Sequence, residues 1–318
     1  SQENPQANMG YTSVSQGIAM KLYEGFPTLY MQLSQENIYE HNPHWYKHLQ
    51  YSKDRERGGD YQEDLVVPGD FELTLYKDQS IVFSASTTLE QAETLVEEFE
   101  KSSQQRAPRD SFENCLKYAS RQFIIEKLNE TRIKAGYPWH LSYGRNTFVA
   151  LPGIAIGTGD TALFEQVIDS MLQYQKGGLF PRLISSHVAP EYNSDTSLWF
   201  FWTLQQYEKE TNKSKKQLWK EYGELLKAIL QTYRSRKHKT MCMDDNGLIW
   251  SDNLSRPLTW FDAEGNYGAI VPRNGYVVEV NALWYNAVCY AIAMADEAKD
   301  KAFLSEWATL PATIAESF

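Results

Sequence analysis

Residues 258–290 hold the side chains of this 318-residue sequence that are best suited to chemistry. Asp262 follows two aromatic residues there, and a second carboxylate, Glu279, follows Arg273 and precedes another aromatic run. Carboxylic acids exchange protons with glycosidic oxygens or water, and aromatic rings stack on the apolar faces of sugars. The combination of two acids, an arginine and several rings therefore predicts a carbohydrate site.

Asp262 has two interpretations. Burial among aromatic rings would keep it protonated, so that it could act as a general acid and donate a proton to a leaving oxygen. Alternatively, Asp262 caps the N-terminus of a helix, because Ala263 and Glu264 could begin a helical turn. The residue type alone supports either role.

Glu279 lies in an apolar run, between Val278 and Val280. An acid that is buried in such a run is either paired or functional. Glu279 therefore forms an ion pair with Arg273, occupies an exposed strand position, binds sugar hydroxyls or acts as a second catalytic carboxylate. An inverting glycosidase holds its acid and base about 6.5–9.5 Å apart, which the loop between Asp262 and Glu279 is long enough to allow.

Residues further upstream could complete such a site. Arg145 can donate a fork of hydrogen bonds to vicinal hydroxyls, or it can hold Asp195 in a structural salt bridge. Asp195 precedes an apolar helical run and is suited to cap it. The candidates for stacking on a sugar are three tryptophans: Trp139, Trp260 and Trp284. Trp199 and Trp202 lie inside a predicted helix, and we expect them in the core.

The composition is that of a globular protein with many rings. Aromatic residues make up 14% of the sequence, and such rings either fill a large core or line a carbohydrate groove. The net charge of -10 argues against nucleic-acid binding, because phosphate recognition needs a basic face. The one basic cluster, residues 234–239, ends a helical run, where cations offset the helix dipole.

No cofactor or metal is expected. The three cysteines lack metal-ligand spacing, and Pro43 interrupts any helix that would align His41, His44 and His48. The sequence contains no glycine-rich phosphate loop, and no apolar run of about eighteen residues that would predict a membrane span. An odd number of cysteines argues against a disulfide framework and favours a reducing, cytoplasmic location.

The sequence divides into a β-rich part and a helical part. Alternation of apolar and polar residues over Phe71–Tyr76, with a second run at Ile81–Ala85, predicts a β-hairpin. A hairpin is only marginally stable by itself and needs more sheet. We therefore predict that residues 1–86 form the end of a β-rich domain and that residues 87–318 form a helical domain.

Apolar residues recur at helical spacing through the second part. Residues 87–88 and Asp110 are the expected starts of its first two helices, because Glu or Gln follows three positions later in each case. The later predicted helices are 147–157, 160–175, 195–209, 214–234, 281–296 and 302–312. Long loops join them and carry the reactive residues. Paired helices with such loops at one end suggest a helical toroid whose loop face holds the site.

Four segments carry a resemblance to a known family. They are AGYPWHLSYGRNTFVALPG at 135–153, GGLFPRLI with EYNSDTSLWFFWTLQQYEKET at 177–184 and 191–211, MDDNGLIW at 243–250, and LTWFDA with VPRNGYVVEVNALWYNA at 258–263 and 271–287. In this order they resemble the glucosidase part of glycogen-debranching enzymes, the amylo-α-1,6-glucosidase family, over residues 112–287. The resemblance implies an (α/α)6 barrel, inversion at the anomeric carbon, and hydrolysis of the α-1,6-linked glucose at glycogen branch points. It also implies that Asp262 is the general acid and that Asp195 faces the sugar.

Two departures from the family pattern matter. The family has Gly-Arg-Asp-Thr-Phe in the first segment, whereas this chain has Asn146 in place of the aspartate. An amide still bonds a sugar hydroxyl, but a charge-assisted hydrogen bond is roughly twice as strong. The sequence also predicts fewer helices than an (α/α)6 ring contains. The resemblance therefore implies an incomplete toroid whose C-terminal helices are missing, which a second chain could complete. Glu279 is only a sugar ligand if the base lies in that missing C-terminal part.

The leading hypothesis is a glycoside hydrolase that removes α-1,6-linked glucose from a branched α-glucan, such as glycogen or a limit dextrin. Its catalytic residues would be Asp262 and Glu279, and its substrate-binding residues Trp139, Arg145, Asn146, Asp195, Trp260, Arg273 and Trp284. One alternative is a non-catalytic domain that binds a glucan or a partner, which Asn146 and the incomplete ring suggest. Another is a toroidal glycosidase of the trehalase or glucoamylase type, which uses the same acids on another linkage.

Overall fold

The computed structural model of the chain describes residues 2–56, 58–106, 108–127, 129–137, 140–185, 189–235, 238, 240–252, 256, 258–265 and 268–318. Contacts divide the chain into two compact units, residues 1–107 and 108–318. No helix within the described ranges is long and apolar enough to cross a lipid bilayer.

The first unit consists mainly of short antiparallel strands. These are β1 (Thr12–Val14), β2 (Gly17–Met20), β3 (Leu29–Leu33), β4 (Ile38–Glu40), β5 (His44–Gln50), β6 (Gln62–Val67), β7 (Asp70–Glu72) and β8 (Phe83–Ser86). Strands β1, β2, β3 and β8 form one sheet in that order, whereas β4 pairs with β7 and β5 pairs with β6. The unit also contains the helices α1 (Ser52–Glu56) and α2 (Leu95–Gln105), the second after a 3-10 turn at Ala92–Thr94.

The hairpin predicted from residues 71–76 and 81–85 is not formed. Strand β7 pairs with β4 instead, and β8 pairs with β3. Leu75 and Tyr76, between them, are exposed, so this segment buries no apolar face that a local hairpin would need. Alternation predicts an extended segment correctly at both places, but it does not determine which strand that segment pairs with.

Helix α2 lies in the first unit, although the sequence pattern assigned it to the helical domain. It begins at Leu95 rather than at residues 87–88. The hydroxyl of Ser86 accepts the Thr88 N–H there, which makes a local turn instead of a helix cap. The sequence predicts a domain boundary after residue 86, whereas the two compact units of the structure meet after residue 107. The difference arises because α2 belongs to the first unit.

The second unit is mainly helical, with small two-stranded hairpins in its loops. Its elements are α3 (Phe112–Arg121), β9 (Ile124–Lys127), β10 (Glu130–Ile133), α4 (Gly144–Ile154), α5 (Thr161–Leu172), α6 (Thr196–Glu210), α7 (Lys215–Arg234), β11 (Met241–Met243), β12 (Ile249–Ser251), β13 (Glu264–Gly265), β14 (Gly268–Ala269), α8 (Val278–Ala298), α9 (Lys301–Trp307) and α10 (Leu310–Ser317). The strand pairs are β9–β10, β11–β12 and β13–β14. The predicted predominance of helix in this part is therefore confirmed.

Capping residues set the beginnings of several of these helices. Ser111, rather than the predicted Asp110, caps α3, because its hydroxyl accepts a backbone N–H of the first turn. Asp160 caps α5 in the same way. Ser214 and Gln217 form a capping box at the start of α7. These side chains satisfy N–H groups that the helix itself leaves unpaired.

Helices α4, α6 and α8 form a row, in which α6 packs against both of the others. The helices that follow them in sequence contact this row: α5 packs on α4, α7 on α6 and α8, and α9 on α8. The helix predicted at 302–312 divides into α9 and α10, because a new helix begins at Leu310 with Pro311 in its first turn, where the missing N–H of proline costs nothing. The long loops enter the row at the N-terminal ends of α4, α6 and α8.

An aromatic core fixes the row. Phe148 on α4, Phe180 in the loop before α6 and Phe200 on α6 are fully buried. The ring centroid of Phe148 lies 4.8 Å from that of Phe180 and 5.3 Å from that of Phe200, and the Phe180 and Phe200 centroids are 5.2 Å apart. Residues of α5, α7 and α8 extend the same apolar cluster. Because protein interiors are closely packed, this shared core holds the N-terminal ends of the three row helices in fixed relative positions.

Candidate active site

A polar cavity of about 310 Å³ lies where the loops before α4 and α6 meet the segment that contains Asp262. Its lining residues are Ala135, His140, Tyr143, Arg145, Asn146, Arg182, Asn193, Trp260 and Asp262. The cavity therefore brings together four residues that the sequence indicated as site residues (Arg145, Asn146, Trp260 and Asp262) from two segments far apart in the chain. We call it the polar cavity below.

Gly144 allows the start of α4 to approach the neighbouring loop closely. Its N–H donates to the carbonyl oxygen of Arg182 at 2.9 Å. A Cβ atom on Gly144 would lie 2.4 Å from the Pro181 carbonyl oxygen and 2.7 Å from Cγ2 of Thr196. Only glycine fits this contact, and the contact brings Arg145 next to Arg182 and the start of α6.

Arg145 is anchored by a buried carboxylate. Its Nε donates to Oδ2 of Asp195 at 2.7 Å, and its Nη2 donates to Oδ1 at 3.1 Å. The Asp195 side chain is 1% exposed. Burial raises the pKa of the Asp195 carboxyl, and the guanidinium of Arg145 opposes that rise. The salt bridge considered for these residues is thus formed, and it leaves Nη1 of Arg145 to face Asp262.

Asp195 supports the site without lining the polar cavity. It precedes α6, but its side chain makes no capping hydrogen bond to the helix. Both of its oxygens bond Arg145 instead. The side-chain cap expected from the sequence is therefore wrong, because the guanidinium offers two charge-assisted bonds in a bidentate geometry. Because Asp195 is buried and does not line the polar cavity, it is not placed to contact a sugar there, contrary to what the resemblance implies.

Asp262 faces two guanidinium groups. Its Oδ2 lies 3.5 Å from Nε of Arg182 and 3.9 Å from Nη1 of Arg145. The Asp262 side chain is 32% exposed and opens to the cavity, so the enclosure among aromatic rings expected from the sequence is not found. The alternative that Asp262 caps a helix is wrong, since the chain continues into the short strand β13.

The segment before Asp262 is tied to the start of α6 by buried hydrogen bonds. The N–H of Ser194 donates to the Leu258 carbonyl at 2.8 Å, and the Ser251 hydroxyl donates to the Ser194 hydroxyl at 2.9 Å. The Tyr233 hydroxyl donates to the Ser194 carbonyl at 2.8 Å. These bonds position the Trp260–Asp262 stretch against the Arg145–Asp195 pair.

Aromatic and amide groups complete the lining. Trp260 is 58% exposed and meets Phe261 edge-on, so that a face of its indole remains accessible. Asn193 is buried, and its Oδ1 accepts a hydrogen bond from Nη1 of Arg256 at 3.1 Å. Arg256 also pairs with Glu191 at 3.3 Å, which fixes the loop that carries Asn193.

Besides Ala135, the sequence did not single out four residues of the lining, all with polar groups: His140, Tyr143, Arg182 and Asn193. All four lie in the segments that carry the family resemblance. Nothing in their spacing indicates that they meet, because the contact depends on the close approach at Gly144. The sequence offered one indication of their role: they lie in the same loop segments as the predicted site residues.

Trp284 belongs to the core, contrary to the stacking role expected of it. It is fully buried, and its indole N–H donates to the Gly247 carbonyl at 3.1 Å. Its ring stacks with Tyr233 at a centroid distance of 5.8 Å. It therefore presents no face to a sugar. The third stacking candidate, Trp139, lies outside the described residues.

Glu279 and Arg273 form an ion pair away from the polar cavity. Glu279 lies in the first turn of α8, so the strand position considered for it is wrong. Nη2 of Arg273 donates to Oε1 of Glu279. Neither residue lines the polar cavity. The pairing proposed from the sequence is thus the arrangement found, and Asp262 is the one carboxylate among the described lining residues.

The polar cavity can bind a polyhydroxylated ligand and exchange a proton with it. Its guanidinium and amide groups donate hydrogen bonds, its carboxylate accepts them, and the Trp260 ring offers an apolar face. Within the part of the chain that the structure describes, no group of three or more His, Cys, Asp or Glu side chains could hold a metal ion. A helical unit with such a cavity at its loop ends has the features of a glycosidase.

Comparison with known families agrees with this class. The amylo-alpha-1,6-glucosidase family matches residues 118–318, and the glycogen debranching enzyme N-terminal family matches residues 1–82. The first match covers more than half of the chain, and the chain therefore belongs to the amylo-alpha-1,6-glucosidase family. The resemblance drawn from the four sequence segments is confirmed, and the family supports a glycosidase-type function. No curated protein matches the chain.

Proposed function

We propose that this chain hydrolyses the α-1,6-linked glucose of a branched α-glucan, with inversion at the anomeric carbon and with Asp262 as the general acid. The observation that carries the proposal is the position of Asp262, a partly exposed carboxylate in a cavity that also holds Trp260 and two arginines. Membership in the amylo-alpha-1,6-glucosidase family supports the substrate class. The cytoplasm is the compartment in which we place this activity.

In the proposed mechanism the terminal glucose enters the polar cavity and its apolar face stacks on Trp260. Asp262 donates a proton to the glycosidic oxygen as the bond from that oxygen to the anomeric carbon breaks. Water attacks the anomeric carbon from the opposite face and gives its proton to a base, for which Glu279 is the candidate. Nη1 of Arg145 and the guanidinium of Arg182 donate hydrogen bonds to hydroxyl groups. Asp195 acts through Arg145, which it holds in place. Asn146 binds a hydroxyl through its amide.

Glu279 enters the proposal as a second carboxylate that is held by Arg273. The Arg273–Glu279 pair has to open before Glu279 can act as a base towards water. If Glu279 acts in this way, Glu279→Gln lowers the rate of glucose release while substrate binding persists. If the variant keeps the full rate, Glu279 is a structural partner of Arg273 and the base lies elsewhere.

The row of α4, α6 and α8 with the helices that follow each of them supports a toroidal arrangement of helical hairpins. We propose that the described hairpins form part of an (α/α)6 ring, and that a second chain can supply the remaining hairpins. Sedimentation equilibrium over a range of concentrations tests the second chain. A monomer at all concentrations contradicts that part of the proposal and leaves the assignment of Asp262 untouched.

A second candidate function is glucan binding without catalysis. Asn146 favours it, because the family pattern has an aspartate there and the amide forms weaker bonds to hydroxyls. Two measurements on the same preparation separate the candidates: glucose release from a branched limit dextrin, and calorimetric binding of a maltooligosaccharide. Glucose release supports the hydrolase. Binding without release, including in the Asn146→Asp variant, supports the binding domain instead.

A further inference from the structure

A second cavity, which we call the apolar cavity, lies in the helical unit and has a volume of about 600 Å³. Its walls come from α3, α4 and α6 and include Leu116, Phe123, Val149, Ile154 and Trp199. Most of its lining residues are aliphatic or aromatic. Its volume falls within the range of small-molecule sites, roughly 300–1,000 Å³.

The apolar cavity and the polar cavity share a wall. Ala135, Arg145, Asn146 and Trp260 line both of them. A molecule that is bound against Arg145 and Trp260 in the polar cavity therefore lies directly beside apolar space. The two cavities therefore adjoin each other at these four residues.

The chemistry of the apolar cavity does not suit a polyhydroxylated chain. Hydroxyl groups placed against Leu116, Val149 and Ile154 would lose hydration without finding hydrogen-bond partners. An apolar substituent would instead cover surface that water now contacts, since Leu116 is 55% and Val149 is 42% exposed. Covering such surface is favourable in proportion to its area.

We propose that the apolar cavity binds the alkyl or aryl substituent of a glucoside whose sugar ring occupies the polar cavity. The inference rests on the proposed function, because it takes the polar cavity to be the glucose site. It extends the substrate class from branched glucans to glucosides with an apolar aglycone. The substituent contacts Leu116, Val149 and the rings of Trp199 and Trp260, which line this cavity.

Calorimetric titration with methyl α-glucoside and with hexyl α-glucoside tests the inference. The two ligands share the sugar and differ by five methylene groups, and each fully buried methylene group contributes roughly fourfold in affinity. Because Leu116 and Val149 are partly open to solvent, the methylene groups are not fully buried, and we expect hexyl α-glucoside to bind at least about tenfold more tightly. Hexanol serves as a control for binding that needs no sugar.

Variants of exposed residues locate the effect. The double substitution Leu116→Gln and Val149→Gln makes the wall polar, and we expect it to abolish the preference for the hexyl ligand. Phe112→Gln is the matched control, because Phe112 lies on the same helix as Leu116, is 80% exposed and does not line the apolar cavity. The preference should survive that substitution.

The possible results separate this inference from the proposed function. Tighter binding of the hexyl ligand that is lost in the double variant and kept in Phe112→Gln supports the inference. Equal binding of the two glucosides to the unaltered protein overturns the inference but does not affect the assignment of the glucose site. A preference for the hexyl ligand that persists in the double variant has the same meaning. If neither glucoside binds, the proposed function fails together with the inference.

Discussion

The Arg145–Asp195 pair makes the sharpest prediction about stability. Asp195 is 1% and Arg145 is 14% exposed, so truncation of either residue leaves a charge with little access to water. Removal of one member of a buried ion pair costs about 3–5 kcal/mol, because the other charge is left without a partner. We therefore expect Arg145→Ala, which leaves Asp195 without a partner, to lower the free energy of unfolding by about 3–5 kcal/mol, and Asp195→Ala, after which Arg145 still faces Asp262, to lower it by the lower end of that range.

The double variant distinguishes a charge effect from a packing effect. With both residues replaced by alanine, no uncompensated charge remains, so the loss should be close to that of one single variant rather than to their sum. The coupling free energy of this double-mutant cycle should then be about 3 kcal/mol. Urea-induced unfolding followed by tryptophan fluorescence measures all three variants.

Asp262 provides the matched control, because it contacts the same arginine from a partly exposed position. Its closest guanidinium nitrogens are 3.5 and 3.9 Å away, and its side chain is 32% exposed. An exposed pair contributes about 0–1 kcal/mol, so we expect Asp262→Ala to cost no more than about 1 kcal/mol. Equal losses for Asp195→Ala and Asp262→Ala, or additive single variants, would refute this account of the site's anchor.

Two further predictions concern backbone fit and pH. Gly144→Ala should destabilise the protein by about 1–3 kcal/mol, because the new Cβ would lie 2.4 Å from the Pro181 carbonyl oxygen. Gly153→Ala in the same helix is the control: its Cβ would meet nothing within 4 Å, so the change should be neutral or stabilising by up to about 1 kcal/mol. Thermal unfolding compares the two variants. Lys227 and the N–H of the first turn of α9 hold the pKa of Asp300 below its usual value, so the stability from Asp300 is present above pH 3.8 and is lost as the pH falls through the lower folded-state pKa. Unfolding at pH 7 should show a loss of about 1 kcal/mol for Asp300→Ala, and that loss should shrink in acid; a loss that is the same at both pH values would contradict this.

The sequence predicted what depends on local pattern. Helical periodicity placed α5 to α8 within a few residues of their observed bounds, because their apolar faces repeat at helical spacing. The α4 prediction began late, so that Arg145 and Asn146 were expected in a loop, although they lie in the first turn of that helix. Gly144 explains the error, since a glycine at a helix start is unfavourable by propensity and is required here by contact.

The lining of the polar cavity was predicted in part. Arg145, Asn146, Trp260 and Asp262 line one cavity, as their residue types suggested. The sequence could not show that Trp284 is enclosed by the core or that Arg182 approaches Asp262, because both facts depend on contacts between distant segments. Residue type indicates which side chains can react, but burial determines which of them reach a ligand.

The central claim is inverting hydrolysis with Asp262 as the acid. Glucose release by the unaltered protein and by Asp262→Asn, followed together with its stereochemistry, tests this claim most directly. Proton NMR of a branched limit dextrin that is treated with the protein shows which anomer of glucose appears first. The account predicts that the β-anomer appears first, since inversion of an α-linkage releases it, and that Asp262→Asn abolishes release while the protein stays folded. Initial release of the α-anomer, or an undiminished rate in Asp262→Asn, would contradict the account.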